Sequence, residues 1–238
     1  GTLPHAPAPV TGSNPPALEA PVTSGQQALW FLQRLAPASA AYNIPAAARV
    51  RGPLDVTALT RAVRVLTQRH AALRTSFPQR DDRPVQCVHR DPAVDLRLHA
   101  AEGWDEAALT AFIEQEARAP FDLAKGPLMR IRVVVQAPND HLVLFVAHHI
   151  ILDHESLAIL GRELLPLYQA ERDATPIALA PPGPDMAAFA TWQLGLLASP
   201  DGERLAAWWS EQSADPPPAL DLAPDRSRPP MQRFAGAT

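Results

Sequence analysis

At 238 residues, 47% of them hydrophobic, the chain is long enough to bury a substantial core. A formal net charge of −4 excludes the basic footprint of a nucleic-acid binder, and one cysteine, Cys87, excludes an internal disulfide framework and fits a reducing compartment. No apolar run reaches the roughly 18 residues of a membrane span, and the N-terminus lacks the charged-then-apolar order of a signal peptide, so the chain reads as soluble and cytoplasmic.

The 27 prolines fall unevenly. Residues 1–20, GTLPHAPAPVTGSNPPALEA, are rich in Pro, Ala and Gly without hydrophobic period, and read as an inter-domain linker. In 23-TSGQQALWFLQRL-35, Leu29, Leu32 and Leu35 recur at helical spacing behind a Ser/Thr cap, predicting a helix. A short strand is expected over 47–52. Next, 55-DVTALTRAVRVLTQRH-70 opens on an Asp cap and sets Leu59, Ala62, Val63 and Leu66 on one face, predicting an amphipathic helix. Strands are expected over 72–78, 84–90 and 94–100, with Cys87 as a small core residue of the second. A helix over 104–119 is broken by 120-PFDLAKGP-127.

Two β-rich runs follow, 128-LMRIRVVVQ-136 and 141-HLVLFVAHH-149, joined by Ala-Pro-Asn-Asp as a hairpin. Strand alternation puts Leu142, Leu144, Val146 and His148 on one face, and Val143, Phe145, Ala147 and His149 on the other. The adjacent histidines therefore point opposite ways, one able to enter the core while the other faces a cleft. Asp153 stands where the next helix, 156–170, should begin, and Asp153 or Ser156 can accept from its free N–H groups. The proline clusters 176–184 and 215–230 read as surface loops. Irregular alternation of strands and helices with one hairpin predicts a mixed α/β fold of α+β type rather than a doubly wound sheet.

Three readings of 148-HHIILDHES-156 compete on residue chemistry. Metal ligation would draw on His148, His149, Asp153 or His154, but neighbouring strand residues do not easily converge on one ion. Local backbone could satisfy these polar groups. Alternatively, His149 is a catalytic group at a cleft, oriented by its neighbours, with Asp153 held by a distant arginine.

The segment resembles the His-His-x-x-x-Asp-Gly motif of the condensation domains of nonribosomal peptide synthetases, shared with chloramphenicol-acetyltransferase-like acyltransferases. Other segments resemble further family motifs in family order: 24-SGQQALWFL-32, 69-RHAALRTSF-77 (with Ala71 where the family has glutamate), 120-PFDLAKGPLMR-130, 188-AFATWQ-193 and 222-LAPDRSRP-229. The resemblance implies a chloramphenicol-acetyltransferase-like lobe, with a mixed sheet flanked by helices. On this reading residues 21–238 are the N-terminal half of a V-shaped, two-lobed domain whose C-terminal lobe lies beyond 234-FAGAT-238.

The implied reaction forms an amide between a donor acyl or peptidyl thioester and the amine of an acceptor aminoacyl thioester. Both substrates ride on 4'-phosphopantetheine arms of upstream and downstream carrier proteins, and no metal or directly bound cofactor is required. The resemblance assigns the central role to His149. Since an α-ammonium titrates near about 7.7–8.0 and an ordinary imidazole near about 6.5, orienting the neutral amine and taking its proton as the adduct forms is the expected task. His148 is expected to face inward and bond backbone. Asp153 is expected to pair with Arg69 or Arg74 as a buried charge, so that Asp153→Ala would damage folding before chemistry. Ser156 is expected to cap the helix. His154 stands where the family usually has glycine and, with Trp192, is a candidate for shaping the tunnel; Trp30 and Trp192 read otherwise as packing residues. An epimerisation domain of the same superfamily and a non-catalytic docking lobe are the alternatives. The lobe by itself is expected to expose an apolar inter-lobe face and to be inactive.

Overall fold

The computed structural model describes residues 17–91 and 93–215. Its strands form two sheets. The larger runs in the order β2 (Asn43–Arg51), β8 (Asp140–His148), β7 (Met129–Ala137), β6 (Asp95–Ala100), with β2–β8 and β8–β7 antiparallel and β6–β7 parallel. In the smaller, β5 (Arg83–Val88) pairs with β1 (Leu18–Pro21), β3 (Thr75–Ser76) and β4 (Gln79–Arg80). The mixed α/β class expected from the sequence is the class observed.

Helix starts follow from their caps. Asp55 accepts from Ala58 N at 2.9 Å to open α2 (Val56–Arg69), and Asp105 accepts from Ala108 N at 2.8 Å to open α3 (Glu106–Arg118). Ahead of α1 (Ser24–Leu35), Thr23 and Gln26 exchange bonds as a capping box. The apolar stripe of α2 (Leu59, Ala62, Val63, Leu66) is buried together with Ile131, Val133, Leu144 and Val146 of the large sheet and Leu160 and Leu167 of α4 (His154–Asp173). Full burial of one such side chain contributes about 1.5–3 kcal/mol, so this stripe and hairpin carry much of the fold. The hairpin is tighter than the four-residue link expected: its strands reach Ala137 and Asp140, leaving Pro138 and Asn139 as the turn.

Two expectations are corrected. The strand expected over 72–78 is a 3₁₀ turn, Ala71–Arg74, followed by the two-residue β3. The Thr75 hydroxyl donates to Ala71 O at 2.8 Å and closes the turn, while Leu73 and Phe77 are both buried. The segment read as a linker ends sooner than residue 20, because Leu18–Pro21 pairs with Val88–Val85. A strand held by backbone bonds and ending on Pro21 needs no hydrophobic period. Residues 1–16, the rest of that segment, lie outside the described residues, as do most of the proline cluster 215–230 and the motif 222–229.

Among the described residues β2 is an edge strand, exposed from Pro45 to Arg49. The chain divides into two compact units, one through Thr191 and one from Trp192. In the second, α6 (Pro200–Gln212) opens on Ser199, and Trp208 and Trp209 stack edge-on at 4.8 Å, each more than half exposed. α5 (Met186–Leu197) carries the 188–193 motif. No helix among the described residues is long and apolar enough to cross a membrane.

Candidate active site

The paired histidines close β8 and open the turn to α4. Register places His148 opposite Asn43 of β2, and its amide donates to Leu128 O at 3.0 Å; the next amide, of His149, donates to Tyr42 O at 2.8 Å. Alternation then turns the two rings apart, as the sequence predicts: His148 is 1% exposed and His149 is exposed.

The His148 ring stands among aromatics, edge-on to Phe121 at 6.4 Å and tilted against Tyr42 at 6.4 Å. Its Nδ1 accepts from Ile150 N at 3.1 Å, so the ring is neutral with its proton on Nε2, an atom buried without a hydrogen-bond partner among the described residues. Burial, and secondarily a charge on His149, push its pKa down to about 4.

His149 is wired the other way. Its Nδ1 lies 2.9 Å from Leu152 O. A carbonyl only accepts, so in the neutral ring Nδ1 carries the proton and Nε2 keeps a free lone pair on the exposed side chain. Two neighbouring groups thus hold opposite tautomers, one reading a backbone N–H and the other a backbone C=O.

Asp153 is the N-cap of α4. One carboxylate oxygen accepts from Ser156 N at 2.9 Å and from Ser156 Oγ at 2.7 Å. Those two bonds hold its carboxyl below the usual carboxylate range, with a smaller contribution from His149. The expected ion pair with Arg69 or Arg74 is not found among the described residues. Arg69 instead makes a two-pronged pair with Glu163 of α4 at 2.9 and 3.2 Å, joined there by His70 at 2.7 Å, and Arg74 donates to His89 O. The physical reason is that Asp153 is exposed and gives one carboxylate oxygen to the helix start, while Glu163 is half-buried and offers both of its oxygens to Arg69. Ser156 is correspondingly not the cap but its donor. His154 is the first residue of α4 and exposed; its helical backbone needs no glycine there. Trp192, on α5, is 58% exposed and begins the second unit.

Sequence reasoning did not single out Gln26, although it sits within a quoted motif. It is 6% exposed and donates from Nε2 to Ile150 O at 3.3 Å, within the turn that follows His149. The signal was the Thr-x-x-Gln spacing of a capping box. A cavity of about 590 Å³ is lined by Trp30, Phe77 and Phe121, the ring that stands against His148; His149 does not line it. Among the described residues no group of three or more His, Cys, Asp or Glu could hold a metal ion. The turn presents the His149 imidazole on a backbone-fixed mount.

A family model described as "Condensation domain" matches residues 17–238. A linear gramicidin synthase of Brevibacillus parabrevis is 40% identical over 224 residues, covering 91% of this chain and 3% of that protein. Phosphinothricin tripeptide synthetase PhsB of Streptomyces viridochromogenes is 37% identical over 237 residues, 95% of this chain and 20% of that one. Among solved structures, the X-domain in complex with OxyB from teicoplanin biosynthesis superposes with a TM-score of 0.79 at 28% identity, over 94% of this chain and 50% of that one. The starter condensation domain of rhizomide synthetase RzmA gives 0.78 at 21% identity, a likeness of fold, over 85% and 49%. The chain thus spans a small part of these curated relatives and about half of these two solved structures.

Proposed function

The chain belongs to the condensation-domain family of nonribosomal peptide synthetases, and from that premise we propose that it supplies the N-terminal, histidine-bearing lobe of an amide-forming acyltransferase. The observation that carries this reading is the His149 mount: Nδ1–H is engaged by Leu152 O, and the Nε2 lone pair stands at an exposed surface. A second lobe would close that open side into a tunnel.

In the reaction proposed, the acceptor amine attacks the donor thioester carbonyl. Nε2 of His149 orients the amine and takes its proton as the C–N bond forms. The adduct then collapses with loss of the C–S bond, and the proton passes to the departing pantetheine sulfur. A thioester is already activated, so the protein's task is positioning and one proton transfer. Carrier proteins upstream and downstream are the proposed partners, and their phosphopantetheine arms the means of delivery. Asp153 and Ser156 fix the start of α4 just beyond the turn; His154, bulkier than the family's glycine, is proposed to narrow the approach to His149.

The test is amide formation between carrier-bound donor and acceptor by the complete two-lobed domain. His149→Ala should lower its rate by about 10²–10⁴-fold, with the loss varying between acceptors because positioning dominates. Unaltered turnover would overturn the reading. The second reading, a partner-docking lobe without catalysis, is favoured by the likeness to the teicoplanin X-domain and by His154. It would be supported by partner binding that survives His149→Ala in a domain with no turnover to lose. Racemised carrier-bound product would point to epimerisation instead.

A further inference from the structure

The capping box ahead of α1 accepts Glu or Gln at its third helical position, because only an acceptor oxygen is needed to receive the cap residue's amide. Here the residue is Gln26, and its side chain does more than close the box. Oε1 accepts from Thr23 N at 3.0 Å, which leaves Nε2 to face the other way. That nitrogen donates to Ile150 O at 3.3 Å and lies 3.4 Å from Gln86 Oε1. The orientation of Gln86 is set in turn, since its own Nε2 donates to Pro21 O at 2.6 Å. Both side-chain amides of this relay have one consistent orientation, and both are buried: Gln26 is 6% and Gln86 2% exposed.

The receiving residue, Ile150, is held at both ends. Its N–H is taken by His148 Nδ1 at 3.1 Å and its C=O by Gln26. The peptide plane before its Cα is held by a side chain of β8; the plane after it is held by Gln26 on its carbonyl and by the Ile151 amide, which donates to His148 O at 3.1 Å. Two residues on, Leu152 O receives the His149 Nδ1 proton. If the plane between Ile150 and Ile151 turned, that carbonyl would swing away from the ring, and nothing would select one imidazole tautomer over the other. We infer that Gln26 is a positioning residue for His149, clamping the Ile150 carbonyl so that Leu152 O keeps the His149 proton on Nδ1. The inference rests on the reading of His149 as the reacting imidazole and deepens it. It also explains why the box uses an amide: a carboxylate could receive Thr23 N but could not donate to Ile150 O.

Gln26→Glu separates the two tasks, because it keeps the cap and removes the donor. The experiment is ring-nitrogen NMR of His149 in histidine-labelled complete domain, alongside turnover with carrier-bound substrates. Gln26→Glu should turn a single Nδ1–H tautomer into a mixture and lower kcat by about 10–100-fold, the scale on which orienting partners of a reactive group act, with KM for the acceptor little changed. Thr23→Ala should lower stability yet leave the His149 ring signals as they are. If Gln26→Glu does not fold, Gln26→Met is read in the same way. Wild-type His149 ring signals in the folded variant overturn the clamp, whatever the turnover. An altered ring with undiminished kcat confirms the clamp and removes the catalytic reading of His149 instead.

Discussion

The inner and outer sides of the turn after β8 carry the same side chain with opposite physics. On the inner side His148 is walled by Tyr42 and Phe121, is neutral, and spends its one acceptor nitrogen on Ile150 N–H. On the outer side His149 gives its proton to Leu152 O and leaves Nε2 open. Chemical identity is therefore a poor guide to role. What separates a support from a reactive group is which backbone atom each ring meets and whether water reaches the other nitrogen.

That contrast can be broken from either side. The largest effect expected is on rate: His149→Ala removes about 10²–10⁴-fold in turnover while a chemical melt shifts by no more than about 0.5 kcal/mol, as for other exposed positions. The converse holds for His148→Ala, which leaves a cavity and an orphaned Ile150 N–H. It should cost about 2–4 kcal/mol in a urea melt, with most of the fall in turnover tracking the loss of folded protein.

Acid sharpens the same distinction. A histidine whose native pKa is about 4 against about 6.5 unfolded contributes stability that is complete above pH 6.5 and is lost as pH falls toward 4. The shift corresponds to about 3 kcal/mol, read as a drop in urea midpoint across that window that His148→Asn should largely lack. The smallest effect expected is at Asp153. As an exposed N-cap rather than half of a buried ion pair, Asp153→Ala should cost about 1 kcal/mol and leave a folded domain. A loss of several kcal/mol would restore the buried-pair reading.

Much of this was legible in the residues. Asp55 and Asp153 announce two helix starts, because a carboxylate before an apolar stripe can take the free N–H groups of a first turn. Alternation in 141–149 already turned the histidines apart. The family resemblance, not the spacing, pointed to His149 over His148. What was not legible depends on partners remote in the chain. Arg69 finds Glu163 across 94 positions, and Gln26 finds Ile150 across 124; neither has a local signature. Cys87 shows the limit from the other direction. It is buried in β5 as expected, but its thiol also donates to Glu19 of β1, a strand hidden in what reads as linker.

The β2 edge of the large sheet has a practical consequence. Over Pro45–Arg49, β2 turns one row of main-chain donors and acceptors outward, and its middle is Ala46-Ala47-Ala48, with no side chain bulky enough to fend off a visitor. Pro45 deletes one donor and the Arg49–Asp140 pair puts charge at the far end, so a foreign ribbon has roughly three residues on which to zip. Concentrated stocks of the chain should consequently be prone to stickiness that begins along this seam, and a lysine at Ala47 is the natural way to blunt it.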